Sequence, residues 1–142
     1  MLALLLINGL AVAAAVMIHY EFLRKASRAV PRMRCRRGLR IVFGVYLALI
    51  AHTVEIWFFG LIYWLVHWSG DWGHLAGNFS GSLLDCVYFS FTTFTTLGFG
   101  DIEPHGQLRF LVGMESLTGL VLITWSASFL FYEMQRHWEQ NP

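Results

Sequence analysis

The 142-residue chain is 56% hydrophobic and only 13% charged, and its mean hydropathy is positive. Because soluble domains carry roughly a quarter charged residues, this composition excludes an ordinary soluble fold and indicates a single membrane domain. The net charge is only +1 and we expect no nucleic-acid partner. The two cysteines, Cys35 and Cys86, show neither a disulfide framework nor a metal-type spacing, and no cofactor is expected.

The N-terminal segment is free of charged residues from Met1 to Ile18. A cleavable signal peptide would carry a basic leading region, and no basic residue precedes this run. The sequence therefore predicts a retained transmembrane helix over residues 1–20.

The following segment, residues 21–40, is predicted to be a basic cytoplasmic linker. Eight of the ten Lys and Arg residues fall between Arg24 and Arg40. A voltage sensor would need Arg at every third position of an apolar span, whereas this stretch is polar and contains Pro31. We expect residues 24–40 to lie on the cytoplasmic side of the membrane and to contact anionic lipid heads.

Two further spanning helices are predicted over residues 41–68 and 108–134, with a short cytoplasmic tail over 135–142. Residues 82–95 form an apolar segment too short to cross a bilayer, which takes roughly 20 residues, so a re-entrant helix is expected. Ser82 and Asp85 resemble a capping box at its start.

The second span contains an ionisable pair, His52 and Glu55, placed one turn apart. Such groups are costly in a membrane and are candidates for function. Two interpretations stay open: a pH-sensitive pair that links the outer helix to the pore unit, or a buried hydrogen-bonded pair that fixes helix packing. A metal site is disfavoured because two ligands from one chain are too few.

The most distinctive motif follows the re-entrant segment and reads Thr96-Leu97-Gly98-Phe99-Gly100-Asp101. Together with the aromatic, threonine-ended segment 88–95 and the spans on both sides, it resembles the pore of potassium channels over residues 41–134. Here the filter TLGFG stands where the common form is TVGYG. The resemblance implies an all-α integral membrane fold with three transmembrane helices, a re-entrant pore helix and a filter loop at 96–101.

In that family, backbone carbonyls replace the hydration shell of K⁺. The resemblance assigns the ion-binding positions to Thr96, Leu97, Gly98, Phe99 and Gly100, with the K⁺-facing carbonyls on the first four. Glycine tolerates the alternating backbone angles that this requires. We expect the intervening Leu97 and Phe99 side chains to pack outward into the pore helix.

Three further residues are predicted to support the filter. Thr95 ends the pore helix, whose C-terminal dipole favours a cation. Asp101 braces the outer mouth in the family. Thr92 stands where some members carry a glutamate, so a carboxylate pair with Asp101 is absent.

The third span contains Glu115 and Gly119. Glu115 is expected to reach back toward a pore helix. Gly119 occupies a position where the family often bends its inner helix, and close helix packing is the competing explanation. With His52 and Glu55, these residues are the candidates for gating or sensing.

The predicted function is passive conduction of K⁺ by a homotetramer, since one chain supplies one filter strand. The basic segment predicts an N-terminus outside, a C-terminus inside and a location in the cell membrane. The alternatives are a nonselective monovalent cation channel and a non-conducting accessory subunit. An enzyme is not expected, because no nucleophile and base are arranged together.

Overall fold

The computed structural model describes residues 2–30 and 37–138. Within these ranges the chain forms four α-helices and two short β-strands. In chain order they are α1 (Leu2–Ala29), α2 (Arg37–Ser69), β1 (Gly73–Gly77), α3 (Leu83–Phe94), β2 (Ile102–Gly106) and α4 (Leu108–Trp138). Three helices contain stretches that are long and apolar enough to span a bilayer, namely Leu5–Ala29, Gly38–Ser69 and Leu108–Gln135.

The first helix is longer than predicted. Residues 21–29, assigned to the linker, continue α1, and an exposed ion pair at 2.7 Å joins Arg24 to Glu21 on neighbouring turns. The helix ends close to Pro31, which disfavours helical backbone in the residue before it. The centre of the predicted linker, 31–36, and the last residues of the predicted tail, 139–142, lie outside the described residues.

The helices form a bundle in which α2 packs against α1, α3 and α4. The short helix α3 fits between α2 and α4, and its inner face is almost entirely buried. One continuous core joins residues of all four helices to the strands. Its large members include Phe59, Tyr63, Phe89, Phe94, Leu108 and Leu122.

The two ends of the bundle can be identified from the residues that meet there. Asn8 of α1 lines a cavity with Val66, Trp72 and Leu108. Because these residues belong to the end of α2, the loop after it and the start of α4, α1 begins at the end of the bundle that carries the loop 70–107. Val30 and Arg40 meet Leu130 at the opposite end.

A β-hairpin that the sequence did not predict closes the base of that loop. Strands β1 and β2 pair antiparallel, from Gly73 opposite Gly106 to Gly77 opposite Ile102. The Asn78 amide extends the ladder by donating to the Asp101 carbonyl at 2.8 Å. The Leu75 amide donates to Nδ1 of His67 at 3.2 Å, which attaches the hairpin to α2.

The outer helix approaches the re-entrant helix most closely at Gly60. A Cβ added there would lie 2.8 Å from the Cα of Val87, closer than any real side chain tolerates. Contact with backbone cannot be relieved by a rotamer change. The absence of a side chain at residue 60 therefore sets the distance between α2 and α3.

We predict that Gly60→Ala destabilises the folded protein by about 1–3 kcal/mol, the usual cost of overpacking a close contact. Thermal unfolding in detergent, followed by circular dichroism, measures the change. Gly9→Ala is the matched control, because a Cβ at Gly9 of α1 meets no atom within 4 Å. Equal stability of the two variants would contradict the close packing at Gly60.

Candidate ion-conducting site

Helix α3 begins with a cap that differs in one detail from the predicted capping box. The Ser82 hydroxyl accepts a hydrogen bond from the Asp85 amide at 3.1 Å, as the motif requires. The Asp85 carboxylate instead accepts from the hydroxyl and the amide of Ser80 at 2.5 and 2.8 Å. These hydrogen bonds, from the Ser80 hydroxyl above all, hold the pKa of Asp85 below its ordinary value.

The other end of α3 passes directly into the filter segment. The Thr95 amide and hydroxyl both donate to the Phe91 carbonyl, at 3.2 and 2.7 Å. The amides of Leu97 and Gly98 both donate to the carbonyl of Thr92, at 2.8 and 3.1 Å. Thr92 thus contacts the filter segment through its backbone, and its hydroxyl donates back to the Phe89 carbonyl.

The filter segment has an alternating backbone. Gly98 and Gly100 have φ angles of +54° and +76°, and Thr96 has a φ of +59°. Thr96 is the one non-glycine residue with positive φ among the residues that the structure describes. Every second residue of 96–100 is therefore left-handed, a conformation that costs a residue with a Cβ roughly 1–2 kcal/mol.

The side chains between these left-handed residues are largely uncovered within one chain. Leu97 and Phe99 are 59% and 64% exposed in the single chain. One chain does not bury these side chains, and their packing outward into the pore helix stays a prediction. The short hydrogen-bonded turn after α3 directs the segment away from the core, which leaves two large apolar side chains uncovered.

Asp101 is braced by Tyr88, a residue that the sequence motif does not single out. The Tyr88 hydroxyl donates to Oδ2 of Asp101 at 2.9 Å, and this hydrogen bond raises the pKa of Tyr88. It joins the first half of α3 to the residue that follows the filter. Tyr88 lies in the aromatic run of the motif, but nothing in the run distinguishes it from its neighbours.

Glu115 is fully buried and reaches back to α3 of its own chain. It accepts a hydrogen bond from the Tyr63 hydroxyl of α2, and its second oxygen lies 2.5 Å from the Ser90 hydroxyl of α3. Ser90 also lies 2.9 Å from the carbonyl of Ile56. One carboxyl group therefore links the outer, re-entrant and inner helices at a single point.

Gly119 lies where α4 crosses the end of α3. A Cβ at this position would come within 2.8 Å of the carbonyl carbon of Phe94. Helix α4 is continuous through this residue. The geometry supports close packing as the reason for glycine, and bending at Gly119 stays a prediction.

Glu55 is also fully buried and contacts two histidines rather than one. Nδ1 of His52 lies 3.0 Å from one carboxylate oxygen, the contact that the spacing predicted. Nδ1 of His19 in α1 lies 2.9 Å from the other oxygen. A metal site was disfavoured on the premise that one chain brings together only two potential ligands, His52 and Glu55. That premise is wrong, because His19 adds a third.

These observations define the class of the protein. Two spanning helices flank a short helix that ends in a glycine-containing segment of alternating backbone, which is the architecture of an ion channel pore module. A family model described as "Ion channel" matches residues 40–136, which is more than half of the chain. The chain belongs to this family, which is built on the two-transmembrane potassium channel pore module, and it carries an additional apolar helix before that module.

No curated protein and no solved structure matches the chain. The integral membrane character rests on the family and on the three apolar helices. Membership of an ion channel family also weighs against an enzyme.

We predict that Glu115→Gln keeps the free energy of unfolding within about 1 kcal/mol of the original, because an amide still accepts from Tyr63 and donates toward Ser90. Glu115→Ala leaves the buried Tyr63 hydroxyl without its acceptor and should cost about 1–3 kcal/mol. Thermal unfolding in detergent measures both changes. Equal losses in the two variants would show that the carboxyl group itself, rather than its hydrogen-bonding pattern, is required.

Proposed function

We propose that this chain is the subunit of a potassium-selective channel that conducts K⁺ passively down its electrochemical gradient. The observation that carries the proposal is the backbone of the filter segment. Thr96, Gly98 and Gly100 alternate in the left-handed region, directly after a short helix whose Thr92 carbonyl anchors the amides of the segment. Such a backbone suits a segment that offers successive carbonyl oxygens to a cation.

The proposed mechanism replaces water around the ion with protein oxygens. Carbonyls of Thr96, Leu97, Gly98 and Phe99 would take the place of the hydration shell, with Gly100 at the outer mouth. The C-terminal end of α3 carries the partial negative charge of the helix dipole and lies next to the segment, which favours a cation there. Repulsion between ions at adjacent positions would keep them moving.

A homotetramer is part of the proposal, because one chain contributes one strand to a ring of carbonyls. Its support is the apolar surface left open beside the filter. Leu97 and Phe99 are more than half exposed, as are Leu117, Leu120 and Val121 of α4. A neighbouring copy of the chain would cover apolar side chains at the filter, where a lipid tail cannot satisfy the polar backbone between them.

The proposed orientation uses the two ends of the bundle. Within the basic segment 24–40, Val30 and Arg40 lie at the end of the bundle opposite the filter loop. Because basic segments remain in the cytoplasm, the filter and the N-terminus would face outward and the C-terminus inward, in the cell membrane. The basic residues of the segment 24–40 would contact anionic lipid heads.

A nonselective cation channel is the second candidate, and one feature favours it. Phe99 has no hydroxyl group and its ring is largely exposed, so it cannot hydrogen-bond behind the filter as tyrosine does. A less firmly braced filter would distinguish K⁺ from Na⁺ less well. Flux measurements separate the two candidates.

We predict that liposomes containing the purified protein pass K⁺ much faster than Na⁺, and that Gly98→Ala lowers the K⁺ flux about tenfold or more. Alanine has space at this position but pays roughly 1–2 kcal/mol for the left-handed backbone in every subunit, and 1.4 kcal/mol already equals tenfold. Gly70→Ala is the matched control, because Gly70 also has positive φ and open surroundings but lies outside the filter.

Equal Na⁺ and K⁺ flux would favour the nonselective channel. Undiminished flux in Gly98→Ala would place conduction elsewhere in the molecule. Native mass spectrometry of the detergent-solubilised protein should give four chains per particle. A monomer that conducts no ion in either gradient would favour an accessory subunit.

A further inference from the structure

The cluster of His19, His52 and Glu55 is not explained by ion conduction through the filter. It joins α1, which lies outside the pore module, to α2. His19 and Glu55 are fully buried and the His52 side chain is 14% exposed. One ligand atom from each residue lies within 4.8 Å of the other two.

The distances within the cluster are close to those of a metal site. The two Nδ1 atoms lie 2.9 and 3.0 Å from the Glu55 oxygens. Ligands placed about 2.0–2.2 Å from a tetrahedral Zn²⁺ are about 3.3–3.6 Å apart. The two histidine–carboxylate distances lie a few tenths of an ångström below this separation, and all three ligand atoms lie within 4.8 Å of one another. Side-chain movements of about an ångström would therefore bring the three atoms to coordination distances.

The surroundings of His19 provide the outer support that metal ligands need. Its Nε2 lies 3.4 Å from the Ser126 hydroxyl of α4, which is buried. A histidine that coordinates through Nδ1 needs such a partner for its other ring nitrogen. The rings of His19 and His52 stack with their centroids 5.2 Å apart, so they are already held side by side.

We propose that His19, His52 and Glu55 bind a transition-metal dication of the Zn²⁺ type. Two imidazoles and one carboxylate select such ions over Ca²⁺ and Mg²⁺, which prefer oxygen ligands. The fourth position would hold a water molecule on the exposed edge of His52. The bound ion fastens α1 to α2 and, through Ser126, to the inner helix α4, so it stabilises one arrangement of the first helix against the pore.

A second pair of histidines must be separated from this site in any experiment. His74 and His105 stack on the exposed hairpin with ring centroids 5.1 Å apart. They lie on opposite strands of the ladder and carry no carboxylate between them. Their substitution removes a competing surface site and leaves the buried cluster intact.

The experiment is a Co²⁺ titration of the purified protein in detergent, carried out on the double variant His74→Ala/His105→Ala after treatment with a chelator. Tetrahedral Co²⁺ absorbs visible light, and a thiolate ligand would add a charge-transfer band in the near ultraviolet. We expect one Co²⁺ per chain without that band, displaced by Zn²⁺. Zn²⁺ should also raise the unfolding temperature, because it binds the folded state.

Introducing His52→Asn into the same background should weaken Co²⁺ binding more than tenfold, and His19→Asn should do the same. Ser126→Ala should weaken it less, as expected for a residue that only orients a ligand. The proposal is overturned if the double variant binds no Co²⁺. This outcome does not depend on whether the variants with substituted ligands fold. It is equally overturned if His52→Asn binds Co²⁺ as tightly as its parent.

Discussion

Helix α3 has to be held at its depth by contacts from its sides, because it is too short to reach both faces of a membrane. Its neighbours provide this in two ways. Glycines at positions 60 and 119 let α2 and α4 approach the backbone of α3 without an intervening side chain. Between them, Glu115 joins Ser90 of α3 to Tyr63 of α2. In a medium without water these polar contacts have no solvent competitor. They therefore determine the position of α3 and of residues 96–101, which follow it.

The polar groups inside the bundle are arranged as two separate centres. Glu115 connects the three helices of the pore module with one another, whereas Glu55 connects that module to α1 through His19. Each carboxyl group is fully buried and each has partners on two helices. A buried polar group is costly when it is left alone and specifies one arrangement when it is satisfied. The first centre therefore defines the pore, and the second defines where the additional helix lies.

Local sequence signals were sufficient for the spans, the re-entrant helix and the alternating backbone of residues 96–100. Apolar length, the Ser82 cap and the alternation of glycines act over a few residues, and the structure has them. Contacts between distant residues were not predictable. His19 meets Glu55 across 36 positions and Tyr63 meets Glu115 across 52, and no local pattern encodes either pair. The hairpin was missed because glycine and proline, both poor strand formers, occupy its strands.

The hairpin also connects the outer ends of α2 and α4. Its ladder joins the two chain segments that enter and leave the pore loop. Residues 78–101 therefore form a loop that is closed at its base by hydrogen-bonded strands. Because β1 follows α2 and β2 precedes α4, the paired strands connect the outer ends of these two helices outside the loop 78–101. The ladder therefore couples the outer end of α2 directly to the outer end of α4, independently of the residues 96–101.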